Sequence, residues 1–135
     1  MSKWYEEKEI KDWIDIAIKL HRNFINIGLA LGIRASVTGM KVLRVKREEI
    51  EKAEVWGVKC FGEAVEVMTG CKLIRNKLVF HEIYEPPLKP KLILWTNNKK
   101  ISLELIAREF KDADEVFNAP EEEVFKEVKI SKITN

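Results

Sequence analysis

The side chains in this chain that could do covalent or metal chemistry are few: two cysteines, Cys60 and Cys71, and two histidines, His21 and His81. Cys60 follows the short apolar run Val55-Trp56-Gly57-Val58-Lys59, which reads as a strand. It precedes a one-face helical pattern through Phe61, Ala64, Val65 and Met68. A cysteine at such a strand-to-helix junction meets free backbone N–H groups and the positive end of a helix dipole. Both favour a thiolate, and the junction is a usual ligand site in mixed sheets. Cys60 is the candidate nucleophile; the plain alternative is a small buried apolar side chain, the commonest use of a free cysteine.

Cys71 comes at the far end of the same helix. At 1.5 Å of rise per residue the two sulfurs are about 15 Å apart, which excludes an intrachain disulfide. A zinc–thiolate bond is only about 2.3 Å, so the two could share a metal only across a subunit interface. His21 closes the first helical pattern on its apolar face, and His81 falls within an expected strand. Each reads first as a hydrogen-bonded structural residue, with His21 also a candidate ligand. Motifs such as Cys-x-x-Cys, His-Glu-x-x-His, a phosphate-binding glycine loop or a nucleophile elbow are absent. The acidic clusters Asp112-Ala113-Asp114-Glu115 and Glu121-Glu122-Glu123 read as solvated helix starts rather than divalent-cation sites.

These residues are carried by elements that the patterning makes legible. Ile10, Trp13, Ile14, Ala17, Ile18 and His21 recur at helical spacing over residues 6 to 22. After poor helix formers and a tight connection near Asn26, the pattern resumes through Leu29, Leu31, Ile33, Val37, Met40 and Leu43. Gly28, Gly32, Ser36 and Gly39 lay a stripe of small side chains along this second helix, which predicts close packing by a sheet or helix, or else a ligand lying there. Residues 44 to 54 read as a charged linker with a short helical turn at 47 to 53. Gly70 sits where a left-handed helix cap belongs. Strands are predicted over 73 to 84, 88 to 96 and, after the Asn97-Asn98 turn, through Ile101, Leu103 and Leu105. A short helix is expected over 120 to 126. The order predicts one α+β domain over residues 1 to 135, with helices packed on a mixed sheet of about four strands. Homodimerisation through the glycine stripe or an edge strand would cover what such a sheet leaves open.

Bulk properties narrow the function classes. The chain has 135 residues, 46% hydrophobic and 34% charged, which excludes disordered and low-complexity classes. Twenty-four basic against 22 acidic residues leave a net charge of +2, too little to demand nucleic acid or an anionic membrane as partner. The four tryptophans are scattered along the chain, which argues against a base-stacking platform; the weakest reading is nucleic-acid binding through Lys41, Arg44, Lys46 and Arg47. The charged N-terminus and the interrupted apolar stretch from Phe24 to Ile33 point to a cytoplasmic protein that does not cross a membrane. Abundant lysine and glutamate with no glutamine resemble the bias of hyperthermophile proteomes.

At Cys60-Phe61-Gly62-Glu63-Ala64-Val65-Glu66-Val67-Met68-Thr69-Gly70-Cys71 the chain resembles the family of the E subunit of formylmethanofuran dehydrogenase, with its cysteine, Gly-x-Asp-Ala-Ile-Gln-like helix and Thr-Gly-Cys ending. Gly28-Leu29-Ala30-Leu31-Gly32-Ile33-Arg34-Ala35 is similar to the family's Gly-Leu-Ala-x-Gly-x-Arg-Ala helix start. Asn76-Lys77-Leu78-Val79-Phe80 and Glu123-Val124-Phe125 resemble its Gly-Asn-Leu strand and late Glu-Leu-Phe segment. The resemblance implies a fold similar to the catalytic domain of glyceraldehyde-3-phosphate dehydrogenase, usually dimeric. It also implies zinc binding and association with a molybdenum- or tungsten-pterin oxidoreductase. The family's His-Gly-His-x-Cys-Pro-Gly signature, however, is here Arg22-Asn23-Phe24-Ile25-Asn26-Ile27-Gly28. Asn26 stands at the cysteine, and His21 falls one residue early. The family's Gly-Lys-Gly is replaced by Ile74-Arg75-Asn76, which keeps one cation, and the C-terminal Cys-x-x-Cys zinc ribbon is missing.

Two functions follow as expectations. One is a degenerate member of that family acting as a binding or assembly module, homodimeric, beside a molybdenum or tungsten oxidoreductase. The other is a metal- or thiol-dependent enzyme in which Cys60 is nucleophile or zinc ligand, His21 and Cys71 join it across a dimer interface, and Arg75 holds an anionic substrate.

Overall fold

Helical periodicity dominates the first half of the chain and strand alternation the middle, and the fold keeps that division. The computed structural model describes residues 7–86, 89–105 and 108–133. Three principal helices form: α1 (Lys8–Leu20), α2 (Ile27–Leu43) and α3 (Lys59–Thr69). The strands are β1 (Lys52–Gly57), β2 (Leu78–Glu82), β3 (Lys91–Trp95), β4 (Lys99–Leu105) and β5 (Phe125–Lys132), with two short helices, α4 (Ala113–Asn118) and α5 (Glu121–Val124), before the last. Short 3₁₀ turns occupy Arg47–Glu49 and Leu73–Arg75.

The sheet runs β2-β1-β3-β4-β5, with β1 and β2 parallel and the other neighbours antiparallel. The α+β architecture with helices on a mixed sheet is as expected, but the sheet has five strands rather than about four. The helix expected over 120 to 126 stops at Val124, and the chain continues as β5. There Val128 and Ile130 pair with Leu103 and Ile101 of β4. Strand pairing satisfies the backbone polar groups that a charged helix end would have left to water. The strand expected from residue 73 begins at Leu78, because Leu73–Arg75 form a turn closed by Asn76 at a positive φ of 56°.

One face of the sheet carries Ala53, Val55, Leu92, Leu94, Ile101 and Leu103, all buried under the helices. α2 runs through the middle of the molecule. Ala30, Ala35 and Met40 join the cluster on the sheet, while Leu29, Ile33 and Val37 pack with Ile14 and Ala17 of α1 and Ala64 and Met68 of α3. A helix buried on two sides needs apolar residues nearly all round, which is the composition of α2. Arg34, its one buried cation, donates from Nη1 to the Val116 carbonyl at 2.6 Å and so ties α4 to α2.

The small-residue stripe on α2 is taken up within the chain. A Cβ on Gly32 would stand 2.5 Å from the Phe61 carbonyl oxygen and 2.7 Å from Ala64 Cβ, and one on Gly39 would stand 2.7 Å from a Leu94 methyl. α3 and the sheet therefore fill the stripe, which removes it as a surface for a second copy. None of the helices is long and apolar enough to cross a membrane among the described residues.

Candidate functional site

α1 ends at Leu20, and the chain leaves it through Arg22 and Asn23, both at positive φ (58° and 57°). This tight turn leaves His21 at the helix end with its ring facing the start of α3. His21 Nδ1 lies 2.7 Å from the Phe24 carbonyl oxygen. A carbonyl can only accept, so Nδ1 carries the proton and Nε2 has a free lone pair. Nε2 is 3.2 Å from Cys60 Sγ, and the Phe24 ring stacks against the imidazole with 6.2 Å between centroids.

Asn26 approaches the same sulfur from α2. It is the N-cap of that helix: its Oδ1 accepts from the Leu29 N–H at 2.8 Å. With the oxygen so committed, the amide nitrogen faces Cys60 and donates to Sγ at 3.2 Å. Cys60 itself is the second residue of α3, in the first turn after the Val58 N-cap, and is half-buried. The close approach depends on Gly28, where a Cβ would stand 2.9 Å from Val58 Cγ2 and 3.3 Å from Cys60 Cβ. Three helix ends thus converge on one sulfur.

Chemically, the arrangement provides a thiol with an imidazole acceptor on one side and an amide donor on the other. Passing the Sγ proton to Nε2 leaves a thiolate facing the Asn26 N–H, with the imidazolium held by the Phe24 carbonyl. A cleft of about 250 Å³ opens beside His21, with Leu20 and Leu29 in its wall and Glu63 and Glu66 of α3 at its rim. Phe24, Ile25 and Val58 leave exposed apolar surface around the sulfur.

Of the residues singled out in the sequence, the structure brings together Cys60 and His21 and separates the rest. Cys71 is 1% exposed at the opposite end of α3, its N–H on Thr69 Oγ1 and its sulfur beside the Ile50 carbonyl. It cannot be offered to another chain's site, which corrects its expected role as a ligand across an interface. Burial pushes the Cys71 thiol up, against the opposing pull of the Thr69 hydrogen bond and the Lys77 and Arg47 charges. Arg75 is exposed in the turn beyond that same end. The 11 residues of α3 put about 16 Å between it and Cys60, so it holds no substrate at that sulfur within one chain.

His81 pairs with Glu54 at 2.7 Å and stacks on Trp56, on the sheet face away from the helices. The basic run at 41 to 47 is broken up: the Arg47 guanidinium lies 3.5 Å over the Trp13 ring and donates from Nε and Nη2 to the Val67 carbonyl.

The zinc implied by the family resemblance asks for four donors, at least three from protein. His21 and Cys60 supply two, and Asn26 presents its nitrogen rather than its oxygen. No group of three or more histidine, cysteine, aspartate or glutamate side chains able to hold a metal lies among the described residues. The donor set of one chain does not fit zinc. The role of Asn26 was half-visible in the sequence, since a polar residue just before an apolar helical run marks a cap, but its second bond, to a sulfur 34 positions away, was not. Compared with known families and with characterised proteins, the chain matches no family model and no characterised protein.

Proposed function

We propose that this chain is a homodimeric relative of the E subunit of formylmethanofuran dehydrogenase whose metal site has been reduced to a thiol site, with Cys60 as nucleophile, His21 as its base and Asn26 as a donor to the thiolate. The observation that carries it is the meeting of Cys60 Sγ with His21 Nε2 at 3.2 Å while Nδ1 is held by a carbonyl. The second contact, from Asn26, supports the resemblance as well, because Asn26 stands at the family's cysteine and touches the sulfur retained from it.

The reaction class is attack on an electrophilic carbon. The Sγ proton passes to Nε2, the sulfur pair forms the S–C bond, and the leaving group departs with the proton that His21 returns. A thioester formed this way would pass its acyl group to water or to an amine. The exposed apolar rim of Phe24, Ile25 and Val58 favours a second reading, in which a partner protein, such as a component of a molybdenum- or tungsten-pterin oxidoreductase, closes over the sulfur.

Iodoacetamide labelling of the folded protein at about pH 6, with each cysteine followed by mass spectrometry, tests the first reading. Cys60 should label faster than a free cysteine peptide, and His21→Ala should abolish the advantage. Labelling of Cys60 at or below the peptide rate would overturn it.

A further inference from the structure

Asn26 holds its amide nitrogen 3.2 Å from Cys60 Sγ. A neutral thiol is a weak acceptor, so this N–H gains little where it stands until negative charge develops beside it. It cannot turn away, because Asn26 Oδ1 accepts from the Leu29 N–H at 2.8 Å and fixes the plane of the amide. A second donor belongs to the cysteine itself. In the first turn of α3 the Phe61 and Gly62 N–H groups both donate to the Val58 carbonyl, at 3.1 and 3.2 Å, while the Cys60 N–H meets no acceptor among the described residues. Being on the same residue as the sulfur, it stays close to whatever is bonded there. Two N–H groups therefore border the reacting atom with hydrogen-bonding capacity to spare, and both are positioned in advance.

We propose that Asn26 Nδ2 and the Cys60 N–H form an oxyanion hole, and that the substrate is an acyl compound, an ester or a thioester, attacked at its carbonyl carbon. The inference rests on the thiol site proposed above and narrows its electrophile. The Sγ proton passes to His21 Nε2, the sulfur pair forms the S–C bond, and the carbonyl π pair moves onto oxygen. That oxygen is one bond from the attacked carbon, which is itself one bond from Sγ, so it comes within reach of the donors that border the sulfur. When the pair returns to re-form the carbonyl, the alcohol or thiol leaves with the electrons of its bond to carbon and takes the proton from Nε2. Attack on a saturated carbon or on a disulfide would leave both donors idle, because no charge gathers on an oxygen beside the sulfur. His21 reaches Sγ from the end of α1 and Asn26 from the cap of α2, so the proton and the oxyanion have separate partners.

p-Nitrophenyl acetate and iodoacetamide, compared on the same protein, test this, since the first is attacked through an oxyanion and the second at a saturated carbon. Asn26→Ser keeps a good helix cap and has no amide nitrogen. With the product at Cys60 followed by mass spectrometry, Asn26→Ser should slow acetylation by about tenfold or more beyond any slowing of alkylation, less than the roughly 10²–10³-fold that one such donor is worth in an enzyme's own reaction, because an activated ester needs less help. Asn26→Thr, a second cap former without the amide, should repeat the result, and unchanged circular dichroism of both variants separates it from loss of fold. His21→Ala should slow the two reactions alike, since p-nitrophenolate leaves without a proton. Equal slowing of the two reactions in Asn26→Ser, or a wild-type Cys60 that outpaces a free cysteine peptide toward iodoacetamide but not toward the ester, would overturn the oxyanion hole and leave the thiol site standing. A wild-type Cys60 no faster than the peptide toward either reagent would overturn both.

Discussion

His21 Nε2 lies 3.2 Å from Cys60 Sγ although the two residues are 39 positions apart in the chain. Neither is set by a local motif. The imidazole is aimed by the Phe24 carbonyl and the turn at Arg22 and Asn23, and the thiol by the first turn of α3. The geometry is therefore the product of where the end of α1 and the start of α3 are held against α2 and against each other, and each side chain of the pair can be altered separately by mutation.

Replacing His21 by alanine removes the proton acceptor without touching a buried side chain. Alkylation of Cys60 near neutral pH should slow by about tenfold or more, less than the roughly 10²–10⁴-fold that a positioned base contributes to a full catalytic step, with the denaturation midpoint little changed. An unchanged alkylation rate would show that the contact carries no proton.

Asn26 has two bonds that substitution can split. Asn26→Asp keeps an equally good cap for α2 but sets a carboxylate against the sulfur, so Cys60 alkylation should fall while stability holds. Asn26→Ala loses the cap and should cost about 1 kcal/mol. Denaturant titration alongside labelling reads both effects.

Asn26→Cys adds the third soft donor that one chain lacks. That variant should retain close to one zinc per chain after dialysis, and the wild type should retain none, measured by elemental analysis. Stoichiometric zinc in the wild type that disappears in Cys60→Ala would show that the site was never reduced to a thiol.

Gly32→Ala places a methyl group against the Phe61 carbonyl, where 2.5 Å is available. Backbone cannot swing aside as a side chain can, so α2 and α3 must part. The loss should be about 2 to 3 kcal/mol in denaturant unfolding, and Cys60 alkylation should slow with it.

Cys71 predicts an alkaline loss of stability. Burial holds its thiol above the ordinary range in the folded chain, so on raising pH the unfolded chain ionises first. The contribution is fully present below the ordinary thiol range and is lost as pH rises through it toward the folded value. Between about pH 8 and 10 the wild type should lose more stability than Cys71→Ala, as read by unfolding at each pH.

What the sequence disclosed and what it withheld divide along physical lines. α1, α2 and α3 were legible because their apolar spacing is regular and Gly70 ends α3 at a φ of 75°. β5 was hidden because Val128 and Ile130 alternate with lysines and a glutamate, as suits an exposed edge strand, directly after a run of acids that reads as a helix start. The stripe on α2 announced close packing but not its occupant, since small residues say only that something approaches. Cys60 could be singled out from its place at a helix start. Its meeting with His21 and Asn26 could not, because it depends on where α1 stops relative to α3, whereas the separation of Cys71 and Arg75 from the sulfur follows from the length of α3 alone.

The backbone contact at Gly32 sets more than a distance between helices. With the Phe61 carbonyl lodged in the space of the missing methyl group, α3 has one axial position along α2, like a bolt in a notch. Cys60 stands one residue before that notch, so its reach toward His21 is indexed by it. Surface residues on either helix can drift over generations without detuning the sulfur, while a single carbon added to Gly32 would put the whole reactive pair out of alignment.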